Sequence, residues 1–136
     1  MLLVVIMLIL VHTMITTVVD PSKALLKDTA RLSQARLSTE KLANSVKEVS
    51  AALGDAKKTI HITLPSKTKI VCATPNIKFE IKDLSDGDKE KSFATGTGLI
   101  CSPSGGIDNS SDTSKTYAVT ITKNASAINL NFAEQI

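Results

Sequence analysis

Tryptophan is absent from this 136-residue chain, and aromatic residues make up only 3% of it. A core has to be assembled from Ile, Val and Leu. There are too few rings for a platform on which single-stranded nucleic acid could stack. Cysteine is scarce as well. Cys72 and Cys101 are the only two, neither lies in a C-x-x-C pair, and no histidine stands at ligand spacing, which argues against zinc. G-x-S-x-G, H-E-x-x-H and a phosphate-binding glycine loop are all missing. Gly96-Thr97-Gly98 has no helix after it to hold a phosphate. The acids of Asp83-Leu84-Ser85-Asp86-Gly87-Asp88 lack the order and the distal Glu of a calcium loop, so this segment is expected to be a polar hairpin turn. His12 falls in an apolar run and His61 in an alternating strand. No catalytic residue, cofactor site or metal site emerges, and the expectation is a protein that is not an enzyme.

Charge is missing in one place above all. Residues 1–19, MLLVVIMLILVHTMITTVV, contain no Asp, Glu, Lys or Arg. As a helix they would rise about 28 Å, close to the thickness of a bilayer core. The run is too long for a typical signal-peptide apolar region, has no basic residues ahead of it and no A-x-A-like site after it. A helix apolar on every side needs lipid or other apolar helices around it. Asp20-Pro21 ends the run, either as the N-cap and first turn of a new helix or as a kink in one long helix.

The net charge of +3 is unevenly distributed. Residues 23–58 hold eight Lys/Arg against four acids, while residues 59–136 hold eight of each. A basic excess directly after an apolar run suits a membrane surface or a polyanionic neighbour, or is simply a solvated helix face. Within this stretch Ala24, Leu25, Leu32, Ala35, Leu42, Val46, Val49 and Leu53 share one side of a helical wheel. Lys27, Arg31, Lys41, Lys47 and Glu48 take the other. Gly54-Asp55 is a plausible stop.

Beyond Lys58 the period changes to two. Ile60, Ile62 and Leu64; Ile77, Phe79 and Ile81; Tyr117, Val119 and Ile121; and Ile128, Leu130 and Phe132 each alternate with polar residues, as half-buried strands do. Shorter candidates are 68–72, 92–95 and 99–101. Turn signals separate them at 85–88, 104–106 and 123–125. The expected fold is α+β: a long N-terminal apolar and amphipathic helix followed by a small antiparallel β-sheet or sandwich head. The expected division is an apolar polymerisation or transmembrane helix at 1–19, a basic amphipathic stem at 20–57 and a β-rich head at 58–136. In an exported β-rich head, Cys72 and Cys101 are expected to pair. Asn109-Ser110-Ser111 and Asn124-Ala125-Ser126 are sequons on polar turns, and either would accept a glycan after export.

The order of apolar helix, Pro21, amphipathic stem and β head is the layout of a type IV pilin-like subunit. The stretch LANSVKEVSAALGDAKKTIHITLP, starting at Leu42, closes a stem on a Leu-Gly-Asp turn and runs into an alternating strand that ends at Leu-Pro. It resembles archaeal pilin-like proteins with a class III signal peptide, and YAVTITKNASAINLNF resembles the last hairpin of their heads. That family carries a basic-Gly cleavage point and a Gln-x-Ser-x-Glu-like run ahead of its apolar segment; the present sequence opens inside that segment.

The resemblance implies a structural subunit of an extracellular filament. It would wait in the membrane, be assembled by pilus machinery and polymerise with itself, without nucleic acid. Leu3, Val5, Leu8, Leu10, Met14, Ile15 and Val18 would form the filament core. The alternative reading is a monomeric, membrane-anchored surface domain that binds a partner through its head.

Overall fold

The computed structural model describes the backbone of residues 2–136 and the side chains of 2–13 and 22–136. One helix, α1, covers Leu2–Ala51. Eight strands follow: β1 (Ala56–Leu64), β2 (Thr68–Ala73), β3 (Asn76–Ile81), β4 (Lys89–Ala94), β5 (Leu99–Ser102), β6 (Gly106–Asn109), β7 (Lys115–Lys123) and β8 (Ile128–Gln135). They form two four-stranded sheets, ordered β1-β7-β8-β5 and β4-β3-β2-β6.

The alternating residues set the register. Ile60 faces Val119 and Ile62 faces Tyr117 across β1 and β7, and Val119 faces Phe132 and Ile121 faces Leu130 across β7 and β8. In the second sheet Ile70 lies between Phe79 and Ile107. These side chains join Ala35, Leu42, Val46 and Val49 of α1 in a single buried cluster. Slipping any strand by one residue would turn its apolar set to solvent, so burial fixes the pairing.

The expected architecture needs correction in both parts. The described side chains of α1 fall into a short apolar stretch, 2–13, and a second stretch, 22–51, that is not apolar enough to span a membrane. Among the described residues no helix is long and apolar enough to cross a membrane, so the expected transmembrane helix is not found. The choice between a cap at Asp20 and a kink at Pro21 lies outside the residues whose side chains are described. Where a small antiparallel sheet or sandwich was expected, the head has two sheets, and the first of them is mixed, because β5 runs parallel to β8. Alternation reports which face is buried but carries no information about strand direction.

The expected apolar stripe is also shorter than its sequence pattern. Ala35, Leu42, Val46 and Val49 are buried, and Leu32 packs against them. Ala24, Leu25 and Leu53 are exposed, since the head covers only part of the helix and Leu53 lies past its end. Small and hydroxyl side chains fill the buried face between the larger ones: Ser38, Thr39, Ala43 and Ser45. They let the helix come close to the sheets. Thr39 Oγ1 donates back to Ala35 O at 2.8 Å, which satisfies its hydroxyl inside the core.

One covalent bond joins the two sheets, and one steric constraint fixes a strand pair within the second. Cys72 of β2 and Cys101 of β5 form the disulfide expected from the sequence, with Cα atoms 6.5 Å apart, and it links one sheet to the other. At the start of β6, Gly106 adopts φ +110°. A Cβ there would stand 2.0 Å from the carbonyl oxygen of Ile70 on the neighbouring strand. Only glycine allows that approach. Gly106→Ala should therefore cost about 3 kcal/mol through backbone displacement in β2 and β6. A lowered urea midpoint checks this; an unchanged midpoint contradicts the packing described.

Candidate assembly surface

The described residues of the apolar stretch are notable for how little the rest of the chain covers them. Leu2, Leu3, Val4, Val5, Ile6, Met7, Leu8, Ile9, Leu10 and Val11 are all exposed, from 48% at Ile6 to 78% at Leu2. Ten consecutive positions cover every direction around a helix, so this is an apolar cylinder rather than an apolar stripe. None of these residues belongs to the buried cluster. Fully burying one such side chain is worth about 1.5–3 kcal/mol, so the stretch as a whole has on the order of ten kcal/mol or more to gain from a partner surface. Of the expected filament-core residues, Leu3, Val5, Leu8 and Leu10 lie on this surface; Met14, Ile15 and Val18 fall outside the described side chains. Leu25, Leu26 and Leu37 continue the exposure further along α1.

The head grips the second stretch at both ends. Near its start, the Arg31 guanidinium donates to Ser66 O at 2.8 Å, to Lys82 O at 3.0 Å and to Asp83 O at 3.4 Å. Asp28 Oδ2 accepts from the Ser85 backbone N–H at 2.7 Å and from its hydroxyl at 2.6 Å. Arg31 and Asp28 also face each other one turn apart at 3.6 Å. The polar segment 83–88 is the expected turn between β3 and β4, and it is also the docking loop for the helix. Lys67 and Asp83 both sit at positive φ, 54° and 58°. Lys82 N donates to Lys67 O at 3.0 Å, which binds the two turns side by side beneath Arg31. The sequence placed Arg31 on the solvated face; the structure turns it toward the head, with only 11% of its side chain exposed.

At the other end, Lys123 Nζ donates to Ser50 O at 2.9 Å and to Ala52 O at 2.6 Å. A helix ends with unpaired carbonyls and a partial negative charge. The last turn of α1 has no basic residue of its own, so β7 supplies the cation. Along the middle, Ser38 Oγ donates to Thr63 O at 2.7 Å and Lys41 Nζ to His61 O at 3.0 Å. These two carbonyls point outward from β1, the edge of its sheet. The helix therefore caps an edge that would otherwise template strand pairing. A groove of about 600 Å³ remains beside this contact, lined by Leu37, Lys41 and His61 among others.

The two sequons are placed very differently. Asn109 is buried at 1% exposure, and its Nδ2 donates to Leu64 O at 3.2 Å, Pro65 O at 2.9 Å and Thr113 O at 2.9 Å. Its Oδ1 accepts from Ser111 Oγ at 2.5 Å. The expectation of an exposed turn fails here: Asn109 ends β6 and ties three segments together. Asn124 lies exposed in the β7–β8 turn. Among the described residues no three His, Cys, Asp or Glu side chains converge to hold a metal ion.

The Ser85 hydrogen bonds, then burial in the opposite sense, then Arg31 and Lys27, leave the Asp28 carboxyl below its ordinary value of 3.8. A depressed carboxyl pKa contributes stability above the unfolded value, and that contribution is lost as the pH falls through the folded one. The stability difference between the native chain and Asp28→Ala should therefore hold steady above pH 3.8 and shrink below it. Arg31→Ala should cost about 2 kcal/mol and speed amide exchange in residues 82–88. A pH-independent difference, or unchanged exchange in that loop, contradicts the latch.

The chain matches no protein-family model, no curated protein and no solved structure.

Proposed function

We propose that the chain is the structural subunit of an extracellular, type IV pilus-like filament, and that copies assemble by bundling their apolar N-terminal helices. The observation that carries this reading is the uncovered apolar cylinder from Leu2 to Val11, in a chain whose head uses only one face of the same helix farther along. An exposed apolar surface of this extent marks a site of association. Identical helices are suited to one another because each offers the same surface in every direction, and a subunit in the bundle can be surrounded by several neighbours.

Export of the head is supported by the Cys72–Cys101 disulfide, a bond typical of oxidising compartments. The heads would coat the outside of the filament, each held to its stem by the Arg31 and Lys123 contacts. Assembly machinery is the further partner that the pilin resemblance implies. Catalysis has no place in this reading.

Val5→Asp or Leu8→Asp would place an unpaired carboxylate among packed helices, at a cost of at least about 3 kcal/mol per subunit. Filaments seen by negative stain for the native chain should be absent for either variant, while the subunit is still produced with its disulfide intact. Normal filaments from either variant, or a native chain that stays monomeric at the cell surface, would contradict the reading. The second outcome would favour a monomeric surface-binding domain.

A further inference from the structure

We propose that Asn124 is an N-linked glycosylation site and the only one of the two sequons that the folded head offers for modification. The inference rests on export, which the disulfide supports independently of whether filaments form. Both sequons present the same short pattern, Asn-x-Ser, so the sequence does not separate them. The fold does. The reacting atom is the side-chain nitrogen of Asn, and that of Asn109 is committed to three backbone carbonyls within 3.2 Å. The serine of its own sequon, Ser111, is committed too, donating to Asn109 Oδ1 and lying 3.0 Å from Thr113 O. A sugar on that nitrogen would have to displace the contacts that join the end of β1, the end of β6 and the loop leading to β7.

Asn124 differs on each count. It is exposed, as are Ala125 and Ser126. Its backbone N–H closes a tight turn on Ala127 O at 3.0 Å, which presents 124–126 at the tip of the β7–β8 hairpin. Neighbouring Lys123 is anchored to the carbonyls of Ser50 and Ala52. The tip therefore sits at the C-terminal end of α1, the opposite end from the one that leads to the apolar stretch. A glycan there leaves both the apolar cylinder and the Arg31 latch free.

The chemistry is a displacement at the sugar's anomeric carbon. Asn124 Nδ2 forms a bond to that carbon and gives up one proton. The bond from the carbon to a phosphate oxygen breaks, and the polyprenol-linked phosphate or diphosphate that carried the saccharide leaves with the electron pair. Ser126, two residues on, is the recognition hydroxyl that the sequon requires.

Glycopeptide mass spectrometry on the protein from its native host tests this directly. The peptide containing Asn124 should carry a saccharide mass, and the peptide containing Asn109 should not. Asn124→Gln and Ser126→Ala should each abolish the added mass, whereas Ser126→Thr should retain it. An unmodified Asn124, or a saccharide on Asn109, would overturn the proposal. The outcome is separable from that for assembly: filaments of unmodified chain refute the glycan alone, and a glycosylated chain without filaments refutes assembly alone.

Discussion

The packing of one face of α1 over both sheets is the contact on which the rest of this structure depends. Ala35, Leu42, Val46 and Val49 lie in the same buried cluster as residues from β1, β2, β3, β7 and β8. With few aromatic side chains available, the core is closed by aliphatic residues packed on a helix brought near by Ser38, Thr39, Ala43 and Ser45. Polar contacts at the two ends hold that helix in one register: the Asp28 and Arg31 pair on the turns near its start, and Lys123 on its final carbonyls. A side chain from β7 thus completes a helix that the local sequence leaves without a cation.

The same helix has two surfaces with incompatible demands. From Arg31 to Val49 it is striped, and the head satisfies the stripe. From Leu2 to Val11 it is apolar all round and nothing in the described chain satisfies it. Three of the head's four sheet edges are guarded against pairing. The helix caps the outward carbonyls of β1. The exposed edge strand β4 carries Lys89, Glu90 and Lys91. On β5, Thr74 Oγ1 occupies both the N–H and the carbonyl of Leu99. Charged or capped edges suppress strand addition, so these three edges offer little to an incoming strand. Helix-driven assembly is the reading most consistent with that division of surfaces.

Much of the head was legible in the sequence because its strands alternate strictly. Ile77, Phe79 and Ile81, or Ile128, Leu130 and Phe132, declare both a strand and its buried face. The β3–β4 turn was legible from its Asp, Ser and Gly content, and the cysteine pairing from the expectation of an exported, β-rich head. What escaped depends on contacts distant in sequence. β6 opens on Gly106 and has only Ile107 as an apolar residue, so it reads as loop; its Gly and its buried Asn109 make sense only beside β2 and Leu64. Arg31 reads as one more solvated cation because the turns that hold it lie 35 and 51 residues away in sequence, although Asp28 and Arg31 one turn apart beside Leu32 are a local signal of a docked pair. Lys123 looked like a turn residue. The parallel pairing of β5 with β8 left no trace in the alternation of either strand.

The central claim is that copies meet through the apolar helix, and covalent trapping tests it most directly. Among the described residues there is no free cysteine, so an introduced thiol reports only on its own position. Under mild oxidation of assembled native-source material, Leu8→Cys should give covalently linked oligomers that reductant dissolves. Ser92→Cys, on the outer edge strand of the head, should remain single chains. Linked oligomers from Ser92→Cys together with unlinked Leu8→Cys would contradict the account and move the assembly surface to the head.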